Sequence, residues 1–415
     1  MSEETKKAPA IRFQGFTDDW EQRKLLDMSE RICVGFVGTC EQYYTDSTGI
    51  PMYRTGNLNG LYLNKDDLKY VTQEFHNKNM KSQLKRGDIL IARHGDSGKA
   101  VIYNYSDEAN CLNIVIIRPN SNECDYRFLA QCINSPMPSK QIKGLSAGST
   151  QSVINTKEIE KLVVSVPRNV EEQKVLANFL FNLDNDIALH QRMSDKQKEL
   201  KANLLQMMFP RNGEKIPEVR LAGFAEDWSQ RTLEDISDKV TEKNKAREFT
   251  ETLTNSAEYG IISQSDYFDK DISNINNIDG YYVVRPDDFV YNPRISNFAP
   301  VGPIKRNNLN RIGIMSPLYY VFRPKRVDHT FLEKYFETSY WHIFMKMNGD
   351  SGARADRFAI KDTILKEMPI PYPIKEEQVK IGIFFNQLDK SIVLHQEKIA
   401  HLKVLKSTLL NKMFI

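Results

Sequence analysis

Cysteine is scarce in this chain: five residues among 415, namely Cys33, Cys40, Cys111, Cys124 and Cys132, all in the first third and without a CxxC pair. An odd number at such spacings fits neither a disulfide framework nor a zinc site, so buried free thiols are expected. No run approaches the ~18 consecutive apolar residues of a membrane-spanning helix. The opening MSEETKKAPA holds no apolar segment of the kind a signal peptide needs, which sets the expectation of a cytoplasmic protein. A dominant charge is missing too. With 57 basic against 54 acidic side chains the net charge is only +3, and the overall balance announces no polyanionic partner.

Catalytic motifs are also wanting. Lys85 to Lys99, KRGDILIARHGDSGK, ends in Gly-Lys after a strand-like run, but a phosphate-cradling loop needs Gly at 93 and Ser or Thr at 100, where the chain has Arg93 and Ala100. A glycine-rich turn that carries Arg93, His94, Ser97 and Lys99 outward fits better. Val290 to Arg294, VYNPR, is close to the Asn-Pro-Pro-aromatic loop of amino-methyltransferases, yet has Arg294 where the second proline belongs and no glycine-rich methyl-donor site beside it. Glu199-Leu200-Lys201 has a nuclease-like E-x-K form inside a helical segment, without the Pro-Asp strand that should precede it. Neither a Ser/His/Asp set nor paired metal carboxylates stand out, so nothing points to catalysis by this chain.

What the chain does have is an internal duplication, the feature that fixes architecture. Pro9–Arg23, PAIRFQGFTDDWEQR, returns as Pro217–Arg231, PEVRLAGFAEDWSQR. Glu171–Phe209 returns as Glu376–Phe414, sharing Glu-Glu-Gln, Leu-Asp, Leu-His-Gln and a closing Met-Phe. Two blocks between these ends, about 24–166 and 232–370, share almost no residues. The cluster from Pro210 to Pro217 breaks the chain between the halves.

Both repeated segments read as long helices. In the second copy Leu388, Ile392, His395, Ile399, Leu402, Lys406, Leu409 and Met413 step by four and three, the coiled-coil period; the first follows with Leu183, Ile187, His190, Ser194, Gln197, Lys201, Leu204 and Met208. Polar members of the series favour pairing with particular residues of the other helix. The expected fold is α+β: two globular blocks, each with a twisted sheet and short helices, joined by two long antiparallel, coiled-coil-like helices in a pseudo-twofold repeat. The boundaries are 1–166 for the first block, 167–210 for the central helix, 211–370 for the second block and 371–415 for the C-terminal helix. His190 and His395 recur at equivalent positions, where a packing role competes with a ligand or switch. Glu171-Glu172-Gln173 and Glu376-Glu377-Gln378 read as acidic residues on a first helical turn.

Charge is uneven along the chain. From Lys78 to Lys99 six basic residues face Asp88 and Asp96, and from Arg285 to Arg326 eight face Asp287 and Asp288, a local excess suited to phosphates. A polar loop precedes the last strand of each block: Gly148-Ser149-Thr150-Gln151 in the first, and Asp350 to Arg357, with Arg354 and Arg357, in the second. Gln pairs with adenine and Arg with guanine, while hydroxyls suit phosphates; an ordinary polar loop is the competing reading.

The order of two divergent blocks, each followed by a repeated long helix, resembles the DNA-specificity subunit of type I restriction-modification enzymes. The resemblance rests on the duplicated G-F-x-x-D-W, the Gly-Asp-Ile-Leu-Ile-Ala-Arg run at 87–93, the Gly-Ser-Thr-Gln loop and the Glu-Glu-Gln helices ending in Met-Phe. It implies a non-catalytic chain whose blocks are target recognition domains, each reading half of a gapped duplex DNA site. Its helices serve as spacer and dock for two methyltransferase subunits that use S-adenosylmethionine; two restriction subunits use ATP and Mg2+. On this reading no cofactor is bound by the chain itself. The candidate DNA contacts of the first block are Arg93, His94, Ser97, Lys99, Lys140, Lys143, Ser149, Thr150 and Gln151. Those of the second are Tyr291, Asn292, Arg294, Ser296, Asn297, Lys305, Arg306, Arg354 and Arg357. The helix candidates for docking and spacing are the two Glu-Glu-Gln triplets with Leu183, His190, Leu388 and His395. The second block departs from the first, setting Pro286 to Asn292 against Gly87 to Arg93. A helical scaffold that binds no DNA, an enzyme with an unrecognised site, and the specificity subunit of a related restriction class are the rival readings.

Overall fold

Val170–Met207 and Lys375–Met413 are continuous α-helices of 38 and 39 residues in the computed structural model, which describes residues 8–59, 62–93, 99–146, 153–267, 275–350 and 356–415. Neither helix belongs to one unit alone. The chain divides into a first unit of residues 1–192 with 396–415 and a second of residues 193–395. Each unit therefore takes one block, the start of the helix that follows it and the end of the other helix.

The first unit is built on an antiparallel sheet in the order Ser29–Val34, Ile114–Pro119, Ile89–Ala92, Ala100–Ile102. Ile89, Leu90, Ile91 and Ile114 through Ile117 are wholly buried, because one face packs on helices and the other on a second four-stranded sheet region. Glu21–Lys24 pairs with Val163–Val166 and closes the block just before the long helix.

The second unit repeats the sheet: Ser237–Lys239, Tyr320–Pro324, Phe289–Tyr291, Ile304–Arg306, again antiparallel and in the same order along the chain. Ser229–Thr232 pairs with Pro369–Tyr372 where the first unit has its own closing pair. Two blocks that share almost no residues thus share one sheet, and in each the sheet leads into a helix that starts at a capping aspartate. Asp125 accepts from the Arg127 and Phe128 amides and Asp328 from those of Thr330 and Phe331, satisfying first-turn donors that otherwise have none within the helix.

The repeated motifs close each unit. In the first, Trp20, Phe128 and Phe414 pack with ring centroids 5.6 to 6.1 Å apart. In the second, Trp228, Phe331 and Phe209 do so at 5.3 to 6.1 Å. The tryptophan of each G-F-x-x-D-W is met by the phenylalanine that ends the other repeat's helix.

Every position of the expected helical seam is buried or half-buried. Inside each unit the helices run in opposite directions. In the first, Asp184 meets Lys406 while Leu176, Ala177 and Leu180 share a core with Met413. In the second, Gln197 meets Ser391 and Lys201 meets Asp389 while Leu205 and Met208 share a core with Ile381 and Phe385. Of the polar seam residues, Gln197, Lys201 and Lys406 find specific partners on the other helix, whereas the buried Ser194 hydroxyl has no hydrogen-bond partner among the described residues. All five cysteines are free and buried, and burial pushes the Cys124 thiol up to about 12. Among the described residues no helix is long and apolar enough to cross a membrane.

Candidate nucleic-acid interface

The Glu-Glu-Gln triplets do more than favour a helix start. Glu172 and Glu377 are 1% and 0% exposed, and each receives a bidentate guanidinium from the repeated N-terminal motif: Arg12 to Glu172 at 2.7 Å twice, Arg220 to Glu377 at 2.8 Å twice. The carboxylate bond is the main reason both arginines hold their protons more tightly than usual. Gln173 accepts from the Asp125 amide at 3.0 Å and donates to the Pro167 carbonyl; Gln378 does the same with Asp328 at 2.8 Å and with Pro373. The expectation that whole triplets serve docking is corrected here. Glu172, Gln173, Glu377 and Gln378 are consumed in fastening each helix to its own block and offer nothing to a docking subunit, whereas Glu171 and Glu376 are exposed.

A second shared device lies on the four-stranded sheet of each unit. Lys85 donates its amide to Asp88 Oδ2 at 2.7 Å, and Arg118 holds both Asp88 oxygens at 2.7 Å. Arg285, Asp288 and Arg323 repeat the arrangement at 2.8, 2.7 and 2.9 Å. Both aspartates are essentially inaccessible, so removing the arginine would leave a buried carboxylate without compensation. The residue before each adopts positive φ, Gly87 at 94° and Asp287 at 70°, a conformation that glycine and aspartate reach more readily than most. The two runs therefore match Gly87 to Asp287 and Asp88 to Asp288, one residue away from the match at Pro286 read from the sequence.

On this frame the first block exposes Lys78, Lys81, Lys85, Arg86 and Lys99, none of which makes an ion pair among the described residues. Asp88, the nearest acidic residue in the run, is fully engaged by Arg118. Lys140 is exposed on the helix Pro136–Ser146. Arg93 is half-buried and its Nε donates to the Ile154 carbonyl at 3.3 Å. His94, Ser97, Ser149, Thr150 and Gln151 lie outside the described residues, as does the side chain of Lys143. Sequence reasoning missed Lys78, Lys81, Lys85 and Arg86 as individual candidates, although the charge excess runs through them.

The second block is different. Arg285 pairs with Glu242, Arg311 with Glu251, Arg323 with Asp288, Lys325 with Asp238, and Arg306 with Asp287 and Glu333. The linear excess is largely neutralised by acids from other stretches, which a window along the chain cannot show. Arg306 is thereby corrected from phosphate contact to internal tie. Tyr291 is corrected as well: it is 3% exposed, donates its hydroxyl to the Val301 carbonyl at 3.0 Å, and burial drives its acidity far down. Asn292 donates to the Asn255 carbonyl and accepts from the Arg294 amide, fixing the turn rather than facing outward. Arg294, Ser296 and Asn297 are exposed, and Arg294 lies 3.8 Å from Asp356. Lys305 is half-buried on the strand Ile304–Arg306. Arg357 is half-buried beside Arg294 through a backbone bridge; Arg354 is outside the described residues. On the helices, Leu183 is buried and His190, Leu388 and His395 are half-buried.

Two copies of one α+β module, each closed by a shared latch and each presenting different outward chemistry, define a duplicated recognition protein. Comparison with known proteins agrees. Residues 17–201 and 225–404 each match the family model for the type I restriction modification DNA specificity domain. The chain belongs to this family, as a specificity subunit of a type I restriction-modification system. It is 24% identical over 420 residues to a putative type I restriction enzyme MjaX specificity subunit of Methanocaldococcus jannaschii, covering 95% of this chain and 92% of that one. The MjaVIII specificity subunit of the same organism is 24% identical over 200 residues, 46% of this chain and 45% of the relative. Among solved structures, the S subunit of a type I restriction-modification system from M. genitalium superposes with a TM-score of 0.61 at 14% identity, over 98% of this chain and 99% of the other, which supports the fold.

Proposed function

We propose that this chain is the non-catalytic DNA reader of its complex, each block recognising one half of a gapped duplex site. The observation that carries the reading is the pairing of one sheet and one buried Asp–Arg edge with two unlike surfaces. A shared frame with changed outward residues is what two readers of different base sequences require. The cations between Lys78 and Lys99 that make no ion pair among the described residues supply phosphate attraction to the first reader. Arg294, Ser296 and Asn297 are the exposed polar candidates of the second.

The long helices serve as spacer and dock. Leu189 and Leu394 are 50% and 65% exposed, and Leu200 and Leu405 are 49% and 39% exposed, at matching positions of the two repeats. Matching apolar positions suit two copies of one partner, the methyltransferase subunit, with S-adenosylmethionine bound there and ATP and Mg2+ bound by two restriction subunits. The test compares base modification across the genome of cells with and without this gene. Loss of methylated adenine at one bipartite motif is expected; an unchanged pattern overturns the proposal.

A further inference from the structure

Within the second unit, Lys201, Lys334, Glu337 and Asp389 form a closed ring of charge. Lys334 Nζ lies 2.6 Å from Glu337 Oε1 and 2.6 Å from Asp389 Oδ2; Lys201 Nζ lies 2.7 Å from Glu337 Oε2 and 2.6 Å from Asp389 Oδ1. Every carboxylate oxygen is taken by one ammonium, so the ring is neutral and saturated. It forms part of the wall of a cavity of about 590 Å³ that also receives Lys198 and Lys305. Neither of these two lysines has an ion-pair partner among the described residues. Glu333, the next acid near Lys305, is engaged by Arg306 and Asn308.

The cavity therefore carries two cations outside the closed ring, with Glu337 and Asp389 of the ring as the acids of its wall, and Lys305 is partly withdrawn from water, which holds its ammonium below the ordinary lysine range. His342, in the same wall, is pushed down to about 4 by burial with Lys346 adding to the effect, so at neutral pH it adds no charge. Buried Phe336 and Trp341 form the apolar floor, and Phe298, 78% exposed, stands at the rim as a free aromatic face. Two cations and an exposed ring lining one cavity match a phosphate attached to a base. We propose that this cavity binds the phosphate of a nucleotide through Lys198 and Lys305, with the base against Phe298. The ligand that supplies this chemistry is a free nucleotide. The site goes beyond the half-site reading and does not depend on it.

The full chain is titrated with inorganic pyrophosphate, with dAMP, and with a short duplex of arbitrary sequence, at constant ionic strength. Saturable binding of pyrophosphate and dAMP is expected, weakened at least tenfold in the Lys198→Ala, Lys305→Met double variant and unchanged in Lys24→Ala, which lies in the other unit. Phe298→Ala alters only an exposed ring, so it keeps the fold; it should lose dAMP affinity and keep pyrophosphate. If only the duplex binds, and the double variant lowers the slope of log affinity against log salt by about 1.8, the two lysines are backbone contacts of the DNA reading and the nucleotide site is overturned. No binding of any probe, or equal binding by the wild type and the double variant, overturns it. Pyrophosphate binding by a protein whose gene leaves genomic modification unchanged would support this site while overturning the DNA-reading proposal.

Discussion

Lys406 donates to Asp184 at 2.6 Å, and the same two positions of the repeat, Lys201 and Asp389, meet at 2.6 Å with the helices exchanged. The first pair is completed by Gln131, the second by Lys334, each at its aspartate's other oxygen. Since Asp389 retains a lysine when Lys201 is removed and Asp184 keeps only an amide when Lys406 is removed, the two deletions should differ. Lys406→Met is expected to destabilise the first unit by ~2 kcal/mol and Lys201→Met the second by about half that, since a buried carboxylate left with only an amide costs more than a half-buried one that keeps a lysine. Denaturant titrations following Trp20 and the second unit's tryptophans separately check this. Equal destabilisation would contradict it.

Asp389 also sets an acid limit. Burial raises its pKa, but hydrogen bonds from Lys201 and Lys334 outweigh burial and leave it below the ordinary carboxylate value. A group whose folded pKa is depressed contributes stability that is complete above its unfolded value, ~4, and disappears as pH falls through the folded value. The second unit should hold its stability down to about pH 4 and lose it below, with a shallower loss in Asp389→Asn. An equally steep loss in that variant would assign the acid sensitivity to other carboxylates.

The two tryptophans of the repeated motif should respond differently to substitution. Trp20 donates its indole N–H to Glu172 at 3.2 Å, whereas the buried Trp228 N–H has no hydrogen-bond partner among the described residues. Trp20→Phe should cost ~1 kcal/mol beyond the change in packing, while Trp228→Phe removes an unsatisfied donor and should cost less or stabilise. Thermal unfolding of both variants decides the matter, and the reverse order is the contradicting result.

Much of this architecture was legible because it depends on residue identity. An arginine, a tryptophan, a Glu-Gln pair and a closing Met-Phe recur because each unit needs the same latch, and the four-three spacing survives because seam positions must turn inward. The common sheet was not legible. Its strands require only burial, which Ile89-Leu90-Ile91 and Phe289-Val290-Tyr291 satisfy with different residues, and its positive-φ turn accepts Gly87 or Asp287. Charge misled for a related reason: the partners of Arg285, Arg306 and Arg311 are Glu242, Glu333 and Glu251, distant along the chain and adjacent only after folding.

That difference separates the two basic runs in experiment. Replacing Lys81, Lys85 and Arg86 by alanine should reduce the dependence of log DNA affinity on log salt by up to ~0.9 for each phosphate no longer neutralised, without unfolding the first unit. Arg306→Ala should instead lower the stability of the second unit, because Asp287 and Glu333 are left without their guanidinium. Salt-series binding beside thermal unfolding distinguishes them; an unchanged slope in the triple variant would remove that cluster from the interface.

Two readers of one design should act separately, and an exchanged block tests this most directly. Residues 232–370 are replaced by the corresponding block of another family member, leaving both latches and both helices, and the modified sites in cells carrying the chimera are mapped genome-wide. One half of the modified sequence should change and the other should remain. If both halves change in a folded chimera, the blocks read DNA jointly; if neither does, the second block is not a reader.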